Sequence, residues 1–149
     1  MHWSSFRIPP RRPPIAFERL PSLREMVWEY RARDTGVETL SLEMLHLWRY
    51  APKHASFAGL QLPTTLRELE LNWCNSARLE GLPVLPNVRR LGIHQCRNMS
   101  SLAAVPDLFP ALEHLVVDAC GRMKIEEGGR LVARMPKLKH AFVQKRVVT

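Results

Sequence analysis

LRELELNWCNSARLEGLPVLPNVRRLGIHQC, residues 66–96, contains one nine-residue pattern twice: LRELELNWC at 66–74 and VRRLGIHQC at 88–96, both of the form LxxLxLxxC with an aliphatic residue at each L. A third copy, LEHLVVDAC, occupies 112–120, and weaker copies lie outside these: LREMVWEYR from Leu23, LEMLHLWRY from Leu42 and LKHAFVQKR from Leu138. The six starts are 19, 24, 22, 24 and 26 residues apart. A period of this size is the mark of stacked repeats, in which each unit buries its core only against its neighbours. Pro21, Pro63, Pro86, Pro110 and Pro136 each stand shortly before a first position. There proline ends the preceding element and needs no ladder donor.

The fourth and sixth positions of the pattern alternate with period two, as in a strand with one buried face. Leu69 with Leu71, Leu91 with Ile93, and Leu115 with Val117 are therefore expected to point inward. Parallel strands stack about 4.8 Å apart, so six of them span only roughly 25 Å. The connecting segments carry their own apolar residues, Leu79, Leu82 and Leu85, then Met99, Leu102, Val105 and Leu108, then Ile125, Leu131, Val132 and Met135. A short helix is expected over 129–135, stopped by Pro136, and only extended or 3-10 turns over 75–86. Trp3, Phe6, Ile8, Ile15 and Phe17 are placed to cap the first repeat, and Trp28, at a sixth position, belongs to the core. The last segment, 138–149, is expected to end the sheet as an uncovered edge strand.

The pattern resembles that of leucine-rich-repeat proteins over roughly residues 21–146. This resemblance implies an α/β solenoid, a short horseshoe of about six repeats with a parallel concave sheet and irregular or short helical convex segments. The repeat domain would cover 21–149, preceded by a basic Pro/Arg-rich arm or cap over 1–20. The cysteine at the ninth position is similar to that in repeats of plant NB-LRR immune receptors and F-box proteins. The phrase LPTTLRELELNWCNSARLEGLPVLPNVRRL is similar to repeats of secreted bacterial effectors. These subfamilies remain alternatives. In such repeats the ninth residue bonds the turning backbone, which implies a scaffold role for Cys74, Cys96 and Cys120.

Three widely spaced cysteines in 149 residues indicate neither a disulfide framework nor a CxxC metal site. The formal charge of +8 is unevenly distributed. Arg7, Arg11, Arg12 and Arg19 against Glu18 give the first twenty residues +3, and eight basic side chains against Glu126 and Glu127 give 121–149 +6, leaving about −1 for the middle. A uniform phosphate-binding face is not what this distribution describes. Arg11 and Arg12 read as part of a solvated arm, and Lys137, Lys139, Lys145 and Arg146 as charges that discourage edge-to-edge association. No segment has the apolar length of a membrane span or the apolar core of a signal peptide, and four prolines interrupt any amphipathic presequence at the N-terminus. An intracellular, cytoplasmic, soluble chain with no membrane contact is the expectation.

GxSxG, HExxH, Walker and kinase motifs are all missing, so no enzyme activity and no cofactor are expected. His94, His114 and His140 fall on successive strands but in different columns, the seventh and third positions, which argues against a converged metal site. The outward positions are more informative. They carry Met44, His46, Trp48 and Arg49, then Glu68, Glu70, Asn72 and Trp73, then Arg90, Gly92, His94 and Gln95, then His114, Val116, Asp118 and Ala119. Outward Trp, Arg, His and Met on a rigid sheet match the composition of protein-binding hot spots, and Gly92 should leave a shallow depression between Glu70 and Val116. The expected function is non-catalytic protein recognition on this face, centred on Trp48, Glu70, Trp73, Arg90, His94 and Asp118. Two alternatives stand beside it: substrate recognition within a ubiquitin-ligase or secreted-effector system, and nucleic-acid binding through the basic termini.

Overall fold

Each repeat of the pattern becomes a short strand that begins at its third position. In the computed structural model, which describes residues 12–144 and 146–147, these are β1 (Glu25–Glu29), β2 (Met44–Trp48), β3 (Glu68–Asn72), β4 (Arg90–His94), β5 (His114–Asp118) and β6 (His140–Val143). They form one open sheet in sequence order, all six parallel. The register sets like positions side by side, so that Leu45, Leu69, Leu91, Leu115 and Ala141 make one continuous row. Fourth and sixth positions are buried in every strand, because a one-residue slip would turn the whole apolar set to the other face.

The connecting segments close the buried side. Leu79, Leu82, Leu85, Met99, Leu102, Val105, Leu108, Leu131 and Met135 all join the core. Residues 75–86 contain no helix, as their prolines dictate, and a single helical turn, α1 (Val105–Leu108), follows in the next segment. The second helix, α2 (Ile125–Arg134), starts four residues before the expected position. Gly128 precedes the expected helix, yet it is buried inside the observed one. Glu126 and Glu127 in the first turn and Arg134 in the last complement the helix dipole, and Glu127 accepts the Leu102 N–H at 3.3 Å. These contacts offset the helix-forming cost of two glycines, about 1 kcal/mol each.

Past each of β2 to β5 the chain leaves the sheet through a residue in left-handed conformation: Arg49, Trp73, Gln95 and Ala119, with φ of 59°, 59°, 59° and 53°. The first three each donate their N–H to the seventh-position carbonyl of the next strand, on Asn72, His94 and Asp118. The buried thiols secure the turn that follows. Cys96 donates to the carbonyls of His94 and Leu71 at 3.4 and 3.6 Å, and Cys120 to those of Asp118 and Ile93 at 3.5 and 3.6 Å. The Cys74 N–H in turn donates to the Cys96 sulfur at 3.4 Å. In the last repeat Gln144 takes over this task, accepting the Cys120 N–H and donating to the carbonyls of Cys120 and Met123.

Both ends depart from expectation. Arg12 is no part of a solvated arm: its guanidinium pairs with the fully buried carboxylate of Asp34, which also accepts the Ile15 N–H and the Trp28 indole N–H, each at 2.9 Å. Phe17 and Trp28 are buried and meet edge to face at 5.8 Å, with Ile15 packed against the same core. Trp3, Phe6, Ile8 and Arg11 lie outside the described residues. At the other end a two-residue strand, β7 (Arg146–Val147), turns back antiparallel on Phe142 and Val143. The edge of β6 is thus partly covered, and its unpaired backbone shortened. Among the described residues no helix is long and apolar enough to cross a membrane.

Candidate functional site

On the open face, opposite the core, three columns of side chains run across the strands. The third positions read Glu25, Met44, Glu68, Arg90, His114 and His140; the fifth Val27, His46, Glu70, Gly92, Val116 and Phe142; and the seventh Glu29, Trp48, Asn72, His94 and Asp118. Carboxylates crowd the N-terminal strands, whereas Arg90, His94, His114 and His140 occupy the C-terminal ones. Fixed negative charge thus gathers on β1 and β3, with Asp118 on β5 the exception, and Arg90 is the one permanent cation in these columns.

Its middle is a depression of about 220 Å3 over Gly92, bordered by Glu68 and Glu70 on one side and Arg90, His94, His114 and Val116 on the other. The glycine is what makes room there. A Cβ at this position would stand 2.8 Å from His94 Nε2 and 3.2 Å from Glu70 Cγ, so the missing side chain's space is shared with the His94 ring, which leans over its own strand. His46 Nε2 lies 2.9 Å from a Glu68 carboxylate oxygen and 3.5 Å from one of Glu70. The His114 and His140 rings stack at 4.9 Å. Partial burial, then the charges of Arg90 and His140, lower the His114 pKa, so His114 stays neutral to lower pH than a free imidazole.

Of the six residues singled out in the sequence, Glu70, Arg90 and His94 meet around this depression. Asp118 stands directly opposite His94 in the register, and Trp48 opposite Asn72. Trp48 is half-buried at the end of β2. Trp73 lies apart from them. Its left-handed backbone carries it off the sheet to the edge, where the guanidinium groups of Arg49 and Arg97 each sit 5.6 Å from its ring centroid. Arg49 is itself fixed by Glu29 at 3.2 Å. A ring packed by two cations offers a partner its edge more than its faces.

Asn72 was expected to be exposed but is buried, 4% exposed, between Trp48 and His94 in the register, with its side-chain nitrogen unpaired among the described residues. Such a donor costs about 1–3 kcal/mol. A short polar residue at an outward position gives no sequence signal of this, because its burial comes from the larger side chains on either side. Among the described residues no group of three or more His, Cys, Asp or Glu side chains is placed to hold a metal ion. All three cysteines are buried, and Cys96 and Cys120 are held protonated. Cys96 feels a lowering hydrogen bond from Cys120, which its hydrogen bond with Cys74 and its burial outweigh, pushing it up to about 12. The hydrogen bond with Cys96, then burial, raise Cys120 as well. The chain matches no protein-family model, no curated protein and no solved structure.

Proposed function

We propose that this chain is a short leucine-rich-repeat solenoid and acts as a non-catalytic recognition module, binding a protein partner along the open, concave face of its sheet. The depression over Gly92 is the observation that carries the reading. It sets carboxylates and cationic or imidazole groups around one recess beside the half-exposed Val116, with Trp48 in the neighbouring column. Complementary charge around an apolar contact is what fixes the register of a protein partner, and an aromatic or Arg anchor is where the binding energy concentrates. A rigid parallel sheet holds these groups in place before the partner arrives, which lowers the entropy lost on binding. The repeat pattern supports the solenoid, since like positions of successive repeats stand side by side in the sheet.

The test uses Trp48→Ala combined with Arg90→Glu. A partner captured from native lysate and identified by mass spectrometry is titrated against both purified proteins. A loss of about tenfold or more in affinity with an unchanged melting temperature is expected. Equal affinity for both proteins would refute the proposal, and a lowered melting temperature would place these side chains in the scaffold instead.

A further inference from the structure

A second surface lies on the edge where the strands begin. The residues there are the second positions of the repeats, Arg24, Glu43, Arg67, Arg89, Glu113 and Lys139, standing one per strand from β1 to β6. Two hollows run along this edge, of about 480 Å3 and 570 Å3, and they share Pro86, Arg89 and Ala111 as a common wall, so that they form one trough. Arg24 and Arg67 line the first hollow, Lys137 and Lys139 the second. Five cations thus face two carboxylates along the trough. The polar residues between them are held in place: the Thr65 hydroxyl donates to Leu42 O at 2.6 Å and the Asn87 amide to Thr64 O at 2.8 Å.

The cations are unevenly satisfied. Glu113 is shared by Lys139 at 3.2 Å and Arg89 at 3.9 Å. The hydrogen bond from Lys139 first, helped by the charges of Lys139 and Arg89, outweighs an opposing desolvation and holds the Glu113 carboxyl below its ordinary range. Arg24 turns back on its own backbone, donating to Pro21 O and Leu23 O. Arg67 has no carboxylate within ion-pair distance among the described residues, although Glu43 and Arg89 flank it on the neighbouring strands. Adjacent strands are about 4.8 Å apart, so Arg67 and Arg89 present two guanidinium groups with one shared carboxylate at the far side.

We infer that this trough binds an acidic, extended peptide segment of a partner protein, with carboxylates opposite Arg67 and Arg89. Five strand spacings make about 24 Å, the length of roughly seven extended residues. In an extended chain alternate side chains point the same way about 6.8 Å apart, a span that the long side chains of Arg67 and Arg89 on adjacent strands can match, so two acidic residues at alternate positions meet these two cations. Pro86, Pro110 and Ala111 supply an apolar wall for the residues between. A nucleic-acid backbone suits the trough less well, because it carries charge at every step and would meet Glu43 and Glu113. A peptide can set neutral or basic residues there. This surface is distinct from the open face, and the inference does not depend on that face binding anything.

The experiment is affinity selection from a randomised peptide library by the full chain, followed by titration of a fluorescein-labelled consensus peptide at low and high salt. The expected result is enrichment of Asp and Glu at alternate positions, with affinity falling as salt rises. Arg67→Glu with Arg89→Glu should weaken the consensus peptide about tenfold or more at an unchanged melting temperature, and should itself select basic peptides. Arg122→Glu, in the turn after β5 at the opposite ends of the strands, makes the same charge change per site and should leave peptide affinity within about twofold. If the double charge reversal unfolds the chain, Arg67→Gln with Arg89→Gln takes its place. The inference is overturned by a library with no acidic enrichment, by equal binding in the substituted chain, or by an Arg122→Glu effect as large as that of the trough. Tighter binding of a single-stranded oligonucleotide or of inorganic phosphate than of the peptide also overturns it. So does self-association of the chain abolished by Arg67→Glu, since a second copy would then be the occupant.

Discussion

Replacing Asp34 by Ala should destabilise the chain more than any other change to a charged residue described above. The carboxylate is fully buried and the Arg12 side chain 8% exposed, and four hydrogen bonds converge on it: two from the guanidinium, one from Ile15 N–H and one from the Trp28 indole. Removing it strands a buried cation and two buried N–H donors. Breaking a buried pair in this way costs about 3–5 kcal/mol, which at about 2–4 °C per kcal/mol lowers the melting temperature by roughly 6–20 °C for a chain of this size. Burial alone would raise the Asp34 pKa, but the hydrogen bonds from Arg12, Ile15 and Trp28 outweigh it, and the native pKa is lowered. The stabilisation is therefore fully present above the unfolded carboxyl value of about 4 and is lost as the pH falls through the depressed native value. Urea denaturation followed by circular dichroism should show wild type and Asp34→Asn furthest apart near neutrality and converging on acidification. Arg12→Met combined with Asp34→Leu should recover part of the loss, because no charge is left unpaired. An Asp34→Ala chain within 1 kcal/mol of wild type, or a gap that persists in acid, would refute the reasoning.

The turn residues and the thiols give two more tests. Ala119 is exposed and left-handed, at φ 53°; since glycine adopts this conformation without strain, Ala119→Gly should raise stability by about 0.5–1 kcal/mol in urea melts, and a loss would mean that the alanine methyl contributes packing. Cys74, Cys96 and Cys120 are buried, and with Cys96 pushed up to about 12 the thiolate is scarce at pH 8. An aromatic disulfide reagent should therefore label none of the three in the native chain and all three in urea. Rapid labelling of the native protein would show that the turns open.

The strands were legible because burial repeats with period two and the repeat places it identically each time: the outermost copies, from Leu23 and Leu138, start their strands at the third position just as the full copies do. Strand existence follows from local pattern, and pairing order from the absence of room for anything but neighbours in so short a connection. Features set by distant pairs were not legible. Arg12 and Asp34 are separated by 22 residues, and a proline-flanked arginine looks the same in sequence whether it is solvated or capping a core. β7 is too short to carry a period. The placement of Trp73 has a local cause: an alternating pattern treats the eighth position as one more outward residue, whereas the backbone has by then turned left-handed to leave the sheet.

Charge shows the same limit on a larger scale. Counted along the chain, residues 21–120 are nearly neutral and would be dismissed as an electrostatic surface. Folding sorts those charges by repeat position instead of by sequence. Arg24, Arg67 and Arg89 fall together along the strand-start edge, while Glu25, Glu29, Glu68 and Glu70, their near neighbours in sequence, fall on the open face. Adjacent residues of opposite sign are thereby sent to different surfaces roughly one side chain apart, because consecutive positions in a strand project in different directions. A repeat of 19 to 26 residues then brings each repeat position back to the same place on the next strand, about 4.8 Å away. Arg24 with Glu25 and Arg67 with Glu68 are such pairs, so that neighbours in sequence feed a mainly cationic edge on one side and, on the other, an open face where Glu25, Glu29, Glu68 and Glu70 gather.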